Sequence, residues 1–369
     1  MYNKITFITG YSIEKRISMN IYVDYLYKFL HCIRNQYNIK ILRLISPKYS
    51  FNRLLYLFEK YIILPFSIAR VDSDIYHIVD HTYAHVIKYI SSKKIKVVTI
   101  HDLIPILAYE NKIQGLSYPH NPILFKYSMR FIDKANSIIT VSENTKNDII
   151  NIFKINPNKI KVIYPGIDPS FKKLDHVVIN NFILSKNLIQ YRNYKLILLS
   201  GNTEYKNHIT ALNVLKQFIN KFNINIKFVF TGKLNKSVNE FIIQNDLEAF
   251  IIHIEYVNNK EMPALYNLVD CLFFPSFYEG FGFPILESMA CGTPVLTSTS
   301  GSIPEIVNNA AVMHSPESIN EYIESLFLIL SNEHFRDDLI QKGLSNSRRF
   351  TWDKTAKETK ELYDKLIIN

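Results

Sequence analysis

The sequence predicts an α/β protein built from two Rossmann-like, doubly wound parallel-sheet domains. Three observations predict it. Short β-rich runs alternate with helical segments, and the alternation runs through twice. A turn-rich segment, Tyr164-Pro165-Gly166-Ile167-Asp168-Pro169, separates the two series. At 369 residues the chain is long for one core and comfortable for two. The expected domains are 1–170 and 171–350, with 351–369 as a terminal helix.

In the first half the strands read as Ile5–Thr9, Ile39–Leu44, Ile75–Val79, Val97–Ile100, Ser137–Val141 and Lys161–Tyr164. Helical patterns fall between them at about 19–36, 52–69, 121–134 and 143–153. In the second half the strands read as Leu196–Ser200, Lys227–Thr231, Ile251–Ile254, Cys271–Phe274 and Pro294–Ser298. Helices are expected near 207–222, 236–245, 260–268, 284–291 and 317–330. A last helix, from about Asp353 to Ile368, follows Phe350-Thr351-Trp352. Alternation of this kind calls for parallel sheets covered on both faces.

Composition narrows the class. With 47% hydrophobic residues the chain is not disordered. No apolar run reaches the roughly 18 residues of a membrane span. The start, MYNKITFITG, reads as a first strand rather than a signal peptide. Three cysteines, Cys32, Cys271 and Cys291, make no disulfide framework. Their apolar neighbours suggest buried thiols in a reducing cytoplasm. The net charge of +10 fits a solvated basic surface, an anionic lipid or an anionic substrate. No nucleic-acid motif accompanies the charge, so nucleic acid is not expected as a partner.

The most informative stretch is CLFFPSFYEGFGFPILESMACGTPV, from Cys271 to Val295. An apolar strand runs into a loop with Gly280 and Gly282, and Pro284 opens a helix that ends at Cys291-Gly292. Glycines let backbone approach a ligand closely, and a helix N-terminus offers N–H groups and positive partial charge to a phosphate. Glu279 lies in the loop and Glu287 eight residues on, inside the helix. A carboxylate there can accept two hydrogen bonds from vicinal hydroxyls. The bland alternative is an ordinary strand-loop-helix unit with packing glycines. Taken as a site, the segment reads as a seat for a sugar nucleotide.

This segment closely resembles the donor-binding signature of glycosyltransferase family 4, the retaining GT-B enzymes (group 1, mannosyltransferase-like). The matching residues are Glu279, Gly280-Phe281-Gly282-Phe283-Pro284, Glu287 and Ala290-Cys291-Gly292-Thr293-Pro294-Val295. The resemblance implies two domains facing across a cleft, an acceptor domain first and a donor domain second. It also implies that the Trp-led terminal helix crosses back onto the first domain, whereas the residues alone equally allow packing on its own domain. In Thr99-Ile100-His101-Asp102 the resemblance places His101 in the donor-sugar pocket, supported by Asp102. In Ser200-Gly201-Asn202-Thr203-Glu204-Tyr205-Lys206-Asn207 it places Gly201, Lys206 and Asn207 at the donor diphosphate. Asn202 stands where a basic residue often follows the glycine, so charge neutralisation falls to Lys206 and the helix ends. Ser142 and Lys146 of Val141-Ser142-Glu143-Asn144-Thr145-Lys146 are candidate contacts, although a helix cap explains Ser142 and Glu143 equally well. The loop Ser298–Glu305 lies beside the site, with Glu305 read as structural. Many members carry two adjacent glycines after strand one. This chain has only Gly10-Tyr11-Ser12, which suggests acceptor-specific use of that loop.

Three other features compete for attention. Asp72-Ser73-Asp74 has a D-x-D form, but it precedes a strand and reads as a turn. His81 and His85 have i, i+4 spacing that could bind zinc, but no third ligand is evident, and the resemblance makes His81 a candidate acceptor contact. Residues 52–70 combine an apolar body with Arg53, Lys60 and Arg70. They read as a domain helix broken by Pro65, or as a membrane-surface helix.

The resulting expectation is a retaining hexosyltransferase acting on a GDP- or UDP-linked sugar, plausibly mannose or glucose. Glu279, His101 and Lys206 would be catalytic. Glu287, Gly280, Phe281, Gly282, Phe283, Asn207, Gly201 and Asn202 would bind the donor. Neither a cofactor nor a metal is expected. The acceptor would be a glycan or lipid-linked glycan in bacterial surface polysaccharide synthesis, and the enzyme would be cytoplasmic or peripheral at the inner membrane face. A sugar-nucleotide epimerase of similar fold and a non-catalytic basic binding protein are the alternatives.

Overall fold

Near-continuous runs of Ile, Val, Leu and Phe form strands that are buried on both faces, as helix-covered parallel sheets require. The computed structural model describes residues 3–10, 17–32, 37–43, 53–113, 116 and 122–368. These form two compact units, each around its own six-stranded parallel sheet.

Unit 1 comprises residues 1–112, 117–166 and 350–369. Its strands are β1 (Asn3–Thr9), β2 (Tyr37–Arg43), β3 (Ile75–Ile78), β4 (Ile95–Ile100), β5 (Ser137–Thr140) and β6 (Ile160–Val162). Their order is β2-β1-β3-β4-β5-β6, with Ile5 in register with both Ile39 and Ile75. The order reverses at β1, so a crevice is expected between the C-terminal ends of β1 and β3. The terminal helix, Trp352–Ile368, belongs to this unit. The Trp352 ring stacks on Tyr25 at 5.2 Å and meets Tyr22 edge-on at 5.5 Å. Farther along, the Tyr363 hydroxyl lies 2.6 Å from His77 Nδ1, and His77 Nε2 lies 2.7 Å from the Thr99 hydroxyl. Burial, reinforced by the charge of His101, pushes His77 down to about 3, so the ring is neutral.

Unit 2 comprises residues 113–116 and 167–349. Its strands are β7 (Lys195–Leu199), β8 (Ile226–Thr231), β9 (Ile251–Ile254), β10 (Cys271–Phe274), β11 (Val295–Ser298) and β12 (Val312–His314), ordered β12-β11-β10-β7-β8-β9. The reversal here falls between β7 and β10. Ile197, Phe228 and Phe273 pack with Leu212 and Phe218 of helix His208–Lys221 and with Tyr322 and Leu326 of helix Ile319–Ser331. Burying each such side chain contributes about 1.5–3 kcal/mol.

Several elements differ from the sequence reading. Strand β12 and helices Ile104–Tyr109, His176–Ser185, Ile303–Val307 and Glu333–Ser347 are additional. Segment 121–134 is a helix over Ile123–Met129 followed by a 3-10 turn at Ile132–Lys134. Pro65 does not break its helix: Arg53–Phe58 continues through a π turn at Glu59–Ile63 into Leu64–Ala69. The wider turn immediately precedes Pro65, whose ring would otherwise meet the carbonyl one turn back. Cys32, on helix Ile17–Cys32, is exposed rather than buried, whereas Cys271 and Cys291 are buried.

Candidate active site

The sheet of unit 2 brings three loops together, those that leave β7, β10 and β11. These strands are neighbours, and the switch point lies between the first two. Lys206 comes from the β7 loop and Glu279 from the β10 loop. Lys206 Nζ donates to Glu279 Oε1 at 2.8 Å, and both side chains are buried. The ammonium also lies 4.3 Å from the Phe274 ring centroid and 5.0 Å from that of Tyr205. Burial opposes its charge, but Glu279, Tyr205 and Glu287 outweigh burial and hold the Lys206 pKa above its ordinary value. Lys206 is therefore a permanent cation in a site with little water, where it acts strongly on any nearby anion. Gly201, at φ +86°, makes room for it: a Cβ there would lie 3.0 Å from Lys206 Cε.

Glu287 lies inside helix Phe283–Ala290 and accepts the Tyr266 hydroxyl at 2.9 Å on Oε2. Burial raises its carboxyl to about 7, and the nearby charge of Asp168 adds to the rise against the pull of Tyr266 and Lys206. Gly282 caps the helix at φ +102°, a left-handed conformation that favours glycine. Phe281 and Phe283 flank it, their rings 5.0 Å apart edge-to-face.

The loop that carries Glu279 is held by the one that leaves β11. Ser302 Oγ donates to the carbonyls of Glu279 and Phe281 at 3.0 and 2.9 Å, and Ser302 N donates to the Glu279 carbonyl at 3.1 Å. Gly301 lies so close that a Cβ would be 2.7 Å from Glu279 O. Asn207, left-handed at φ 57°, donates its amide to the carbonyls of Pro275 and Pro316 at 3.0 and 2.8 Å. Its side chain thus ties loops together, which leaves Lys206 as the charged group of the pair.

Two buried polar atoms nearby have no hydrogen-bond partner among the described residues, His208 Nε2 and Ser276 Oγ. Buried polar groups are almost always bonded, so such atoms at a strand's C-terminal edge mark a place for a ligand. Burial, then Lys206, lowers His208 to about 4, which leaves it neutral. Asn202 faces a cavity of about 630 Å³ lined also by Lys233, Asn235, Lys236, Asn239 and His253. The lining has two lysines and no carboxylate, as suits an anionic ligand. Sequence reasoning did not single out His208, Ser276 or Tyr266, and it placed Gly301 and Ser302 beside the site only as part of the Ser298–Glu305 loop, without their contacts. Only burial and bonding reveal them.

In unit 1, His101 follows β4 and His81 follows β3. His101 N donates to His81 Nδ1 at 3.4 Å, and the rings are 6.0 Å apart. His101 Nε2 lies 3.0 Å from the Val79 carbonyl, and Tyr22 meets the ring edge-on at 5.0 Å. Asp102 accepts Ile104 N at 3.1 Å, opening helix Ile104–Tyr109. Ser142 accepts Thr145 N at 3.1 Å as the cap of helix Glu143–Phe153, and Glu143 pairs with Lys146 at 3.3 Å. Tyr11 and Ser12 of the first loop lie outside the described residues.

The metal-like spacings have structural explanations. His81 and His85 sit on a 3-10 helix, His81–Tyr89, where residues four apart do not share a face. His85 Nε2 instead meets the Lys60 carbonyl at 3.0 Å, and Nδ1 meets Ser128 at 3.3 Å. Asp72 bonds Lys4 and Lys94 at 2.9 and 3.0 Å, and Asp74 accepts Lys4 N at 2.8 Å. These acids stitch the N-terminal ends of β1, β3 and β4, the edge opposite the ligand edge. Among the described residues no three His, Cys, Asp or Glu are placed to hold a metal ion.

The comparisons with known proteins agree with this geometry. The family described as "Glycosyl transferases group 1" matches residues 181–345, and "Glycosyltransferase Family 4" matches residues 31–171. O-antigen chain mannosyltransferase B of Escherichia coli is 25% identical over 237 residues, 63% of this chain and 61% of that protein. The match covers 61% to 66% of the own length of three such relatives and 32% to 56% of others. Sucrose-phosphate synthase from Thermosynechococcus elongatus has a similar fold, with a TM-score of 0.80, 15% identity and 99% of each chain covered. Anabaena HepE, solved with UDP and glucose, gives a TM-score of 0.78 at 16% identity over 99% of this chain and 100% of that one. Two family matches that together span most of the sequence, on this sheet order, show that the chain belongs to the group 1, family 4 glycosyltransferases and has the GT-B fold.

Proposed function

We propose that this chain transfers a hexosyl group from a nucleotide sugar to a glycan or lipid-linked acceptor in surface polysaccharide synthesis. The observation that carries the proposal is the buried Lys206–Glu279 pair at the switch point of unit 2. Glu279 holds the lysine until a diphosphate arrives, and the lysine then stabilises the negative charge that grows as the sugar–phosphate bond breaks. Glu287 grips the ribose hydroxyls. Glu279, released from full pairing, faces the sugar hydroxyls. The acceptor oxygen forms the new bond to the sugar carbon, and its proton passes to the departing diphosphate on the same face, which gives retention.

The mannosyltransferase relatives support mannose as the first sugar to test, and the UDP complexes of the fold neighbour support including uridine donors. Membership in a glycosyltransferase family supports transfer over epimerisation. Because Lys206 and the N-terminal end of helix Phe283–Ala290 can together offset the diphosphate charge, we further propose that no divalent ion is needed. The test is a thermal-shift panel of GDP- and UDP-sugars with and without EDTA. The expected result is one ligand that raises the midpoint in both conditions, since ligand at a hundredfold its Kd adds about 2.7 kcal/mol. The same ligand should be consumed in an acceptor-dependent reaction. No shift with any nucleotide sugar, or turnover without acceptor, would overturn the proposal.

A further inference from the structure

Helix 53–69 carries two apolar faces. One packs inward through Lys60, Leu64, Pro65 and Ile68. The other leaves Leu55, Phe58, Ile62, Ile63 and Phe66 exposed, Phe66 to 66%. These positions recur every three to four residues, so they form a single ridge along the helix. Helix Ile123–Met129 lies beside it, with the Tyr61 hydroxyl on the Leu124 carbonyl at 3.5 Å, and adds exposed Ile123 and Leu124. Exposed apolar side chains clustered in this way mark an interaction site.

Charge identifies the occupant. Unit 1 has 27 Lys and Arg against 15 Asp and Glu, whereas unit 2 has 16 against 18. The basicity of the chain is thus the basicity of the unit that carries the ridge. Arg70 closes the helix, and Lys88, Lys126 and Arg130 stand around its neighbour, with Lys88 Nζ on the Tyr127 hydroxyl at 2.7 Å. The rim acids are Glu59 and Glu110, and Glu110 is paired with Lys112 and Lys126 at 2.7 and 3.3 Å. A second copy would bring like charge against like. We propose that this ridge seats the protein on an anionic bilayer, with Phe58, Ile62 and Phe66 entering the acyl boundary and the basic rim at the headgroups.

Lys60, one of the basic residues of this segment, is turned inward, 3.3 Å from the Thr82 hydroxyl and 4.1 Å from the Tyr83 ring centroid. Attachment rests on insertion and so persists in salt. The inference rests on the reading of a membrane-borne acceptor for its purpose, but its test needs no substrate.

The full chain is mixed with phosphatidylglycerol-containing or pure phosphatidylcholine vesicles at low and high salt, and bound protein is sedimented. Binding should favour the anionic vesicles, and a large part of it should survive high salt. Phe58→Ser combined with Phe66→Ser should weaken binding at least about a hundredfold, because each seated aromatic contributes about a tenfold factor or more. The nucleotide-sugar thermal shift of that variant should equal that of the parent chain, which separates failure of the ridge from failure of the donor site. Phe66→Trp gives a second readout. The only native tryptophan, Trp352, is 1% exposed, so a blue shift on adding vesicles would come from position 66. Three results would overturn the proposal: equal vesicle binding by the double variant, unshifted emission from the Phe66→Trp variant, or concentration-dependent dimerisation that the double variant abolishes.

Discussion

Glu287 shows how one side chain links stability, pH and ligand. Its carboxyl, raised to about 7 by burial first, binds its proton more tightly in the folded chain than in the unfolded one. The stability this brings is present at low pH and is lost as pH rises from the usual carboxylate range through about 7. Glu287→Gln cannot ionise, so it should match the parent at pH 5 and exceed it at pH 8. The side chain is partly exposed, which limits the gain to about 1–2 kcal/mol. Ribose hydroxyls donate to the ionised form, so nucleotide affinity of the parent should rise with pH up to about 7 and then level off. The Gln variant should bind about tenfold or more weakly, with that dependence gone, because one acceptor oxygen is lost. Calorimetric titration across pH, alongside melting curves, checks both parts. A pH-independent parent affinity would show that Glu287 does not meet the ribose.

At the scale of elements, the β11 loop positions the loop that carries Glu279. Gly301 has φ +60°, and a Cβ there would lie 2.7 and 2.8 Å from Glu279 O and N. Gly301→Val adds a β-branched side chain in a left-handed conformation and forces the two loops apart. Turnover should fall at least about a hundredfold, since a misplacement near 1 Å has that effect. The midpoint of global unfolding should move by only a few degrees. Retained turnover would remove the β11 loop from the site. The sequence was most legible where local signals agreed with packing. Strands Ile251–Ile254 and Cys271–Phe274 and helix Glu143–Phe153 begin and end at the expected residues. Helix Glu333–Ser347 was not legible, because its apolar residues are few and Gly343 sits in its middle. That glycine is explained only by contact: a Cβ would lie 3.2 Å from Met289 Cγ on helix Phe283–Ala290. The acids and glycines of the donor segment were legible as a motif. The partner Tyr266 was not, because it arrives from another helix, and Ser302 was legible only as part of a loop beside the site, not as the donor to the Glu279 and Phe281 carbonyls.

At the scale of the molecule, the chain leaves unit 1 after Gly166 and returns at Phe350, and within that unit the two segments touch. A Cβ on Gly166 would lie 2.2 Å from Trp352 N and 2.5 Å from the Thr351 carbonyl carbon, so only glycine permits the approach. The Thr355 hydroxyl donates to the Tyr164 carbonyl at 2.7 Å, and the Tyr164 and Phe350 rings meet edge-on at 5.7 Å. Trp352 carries this junction into the core through its stack on Tyr25. Gly166→Val should therefore lift the start of helix Trp352–Ile368 from its seat and destabilise unit 1 by about 2–3 kcal/mol. Because Trp352 is the only tryptophan, its fluorescence reports unit 1 alone. Urea unfolding followed by that signal should show an earlier midpoint for the variant. The nucleotide-sugar thermal shift, which belongs to unit 2, should persist. If the tryptophan transition stays in place, the contact between residues 166 and 352 contributes nothing, and the terminal helix is held by Tyr363 and His77 instead.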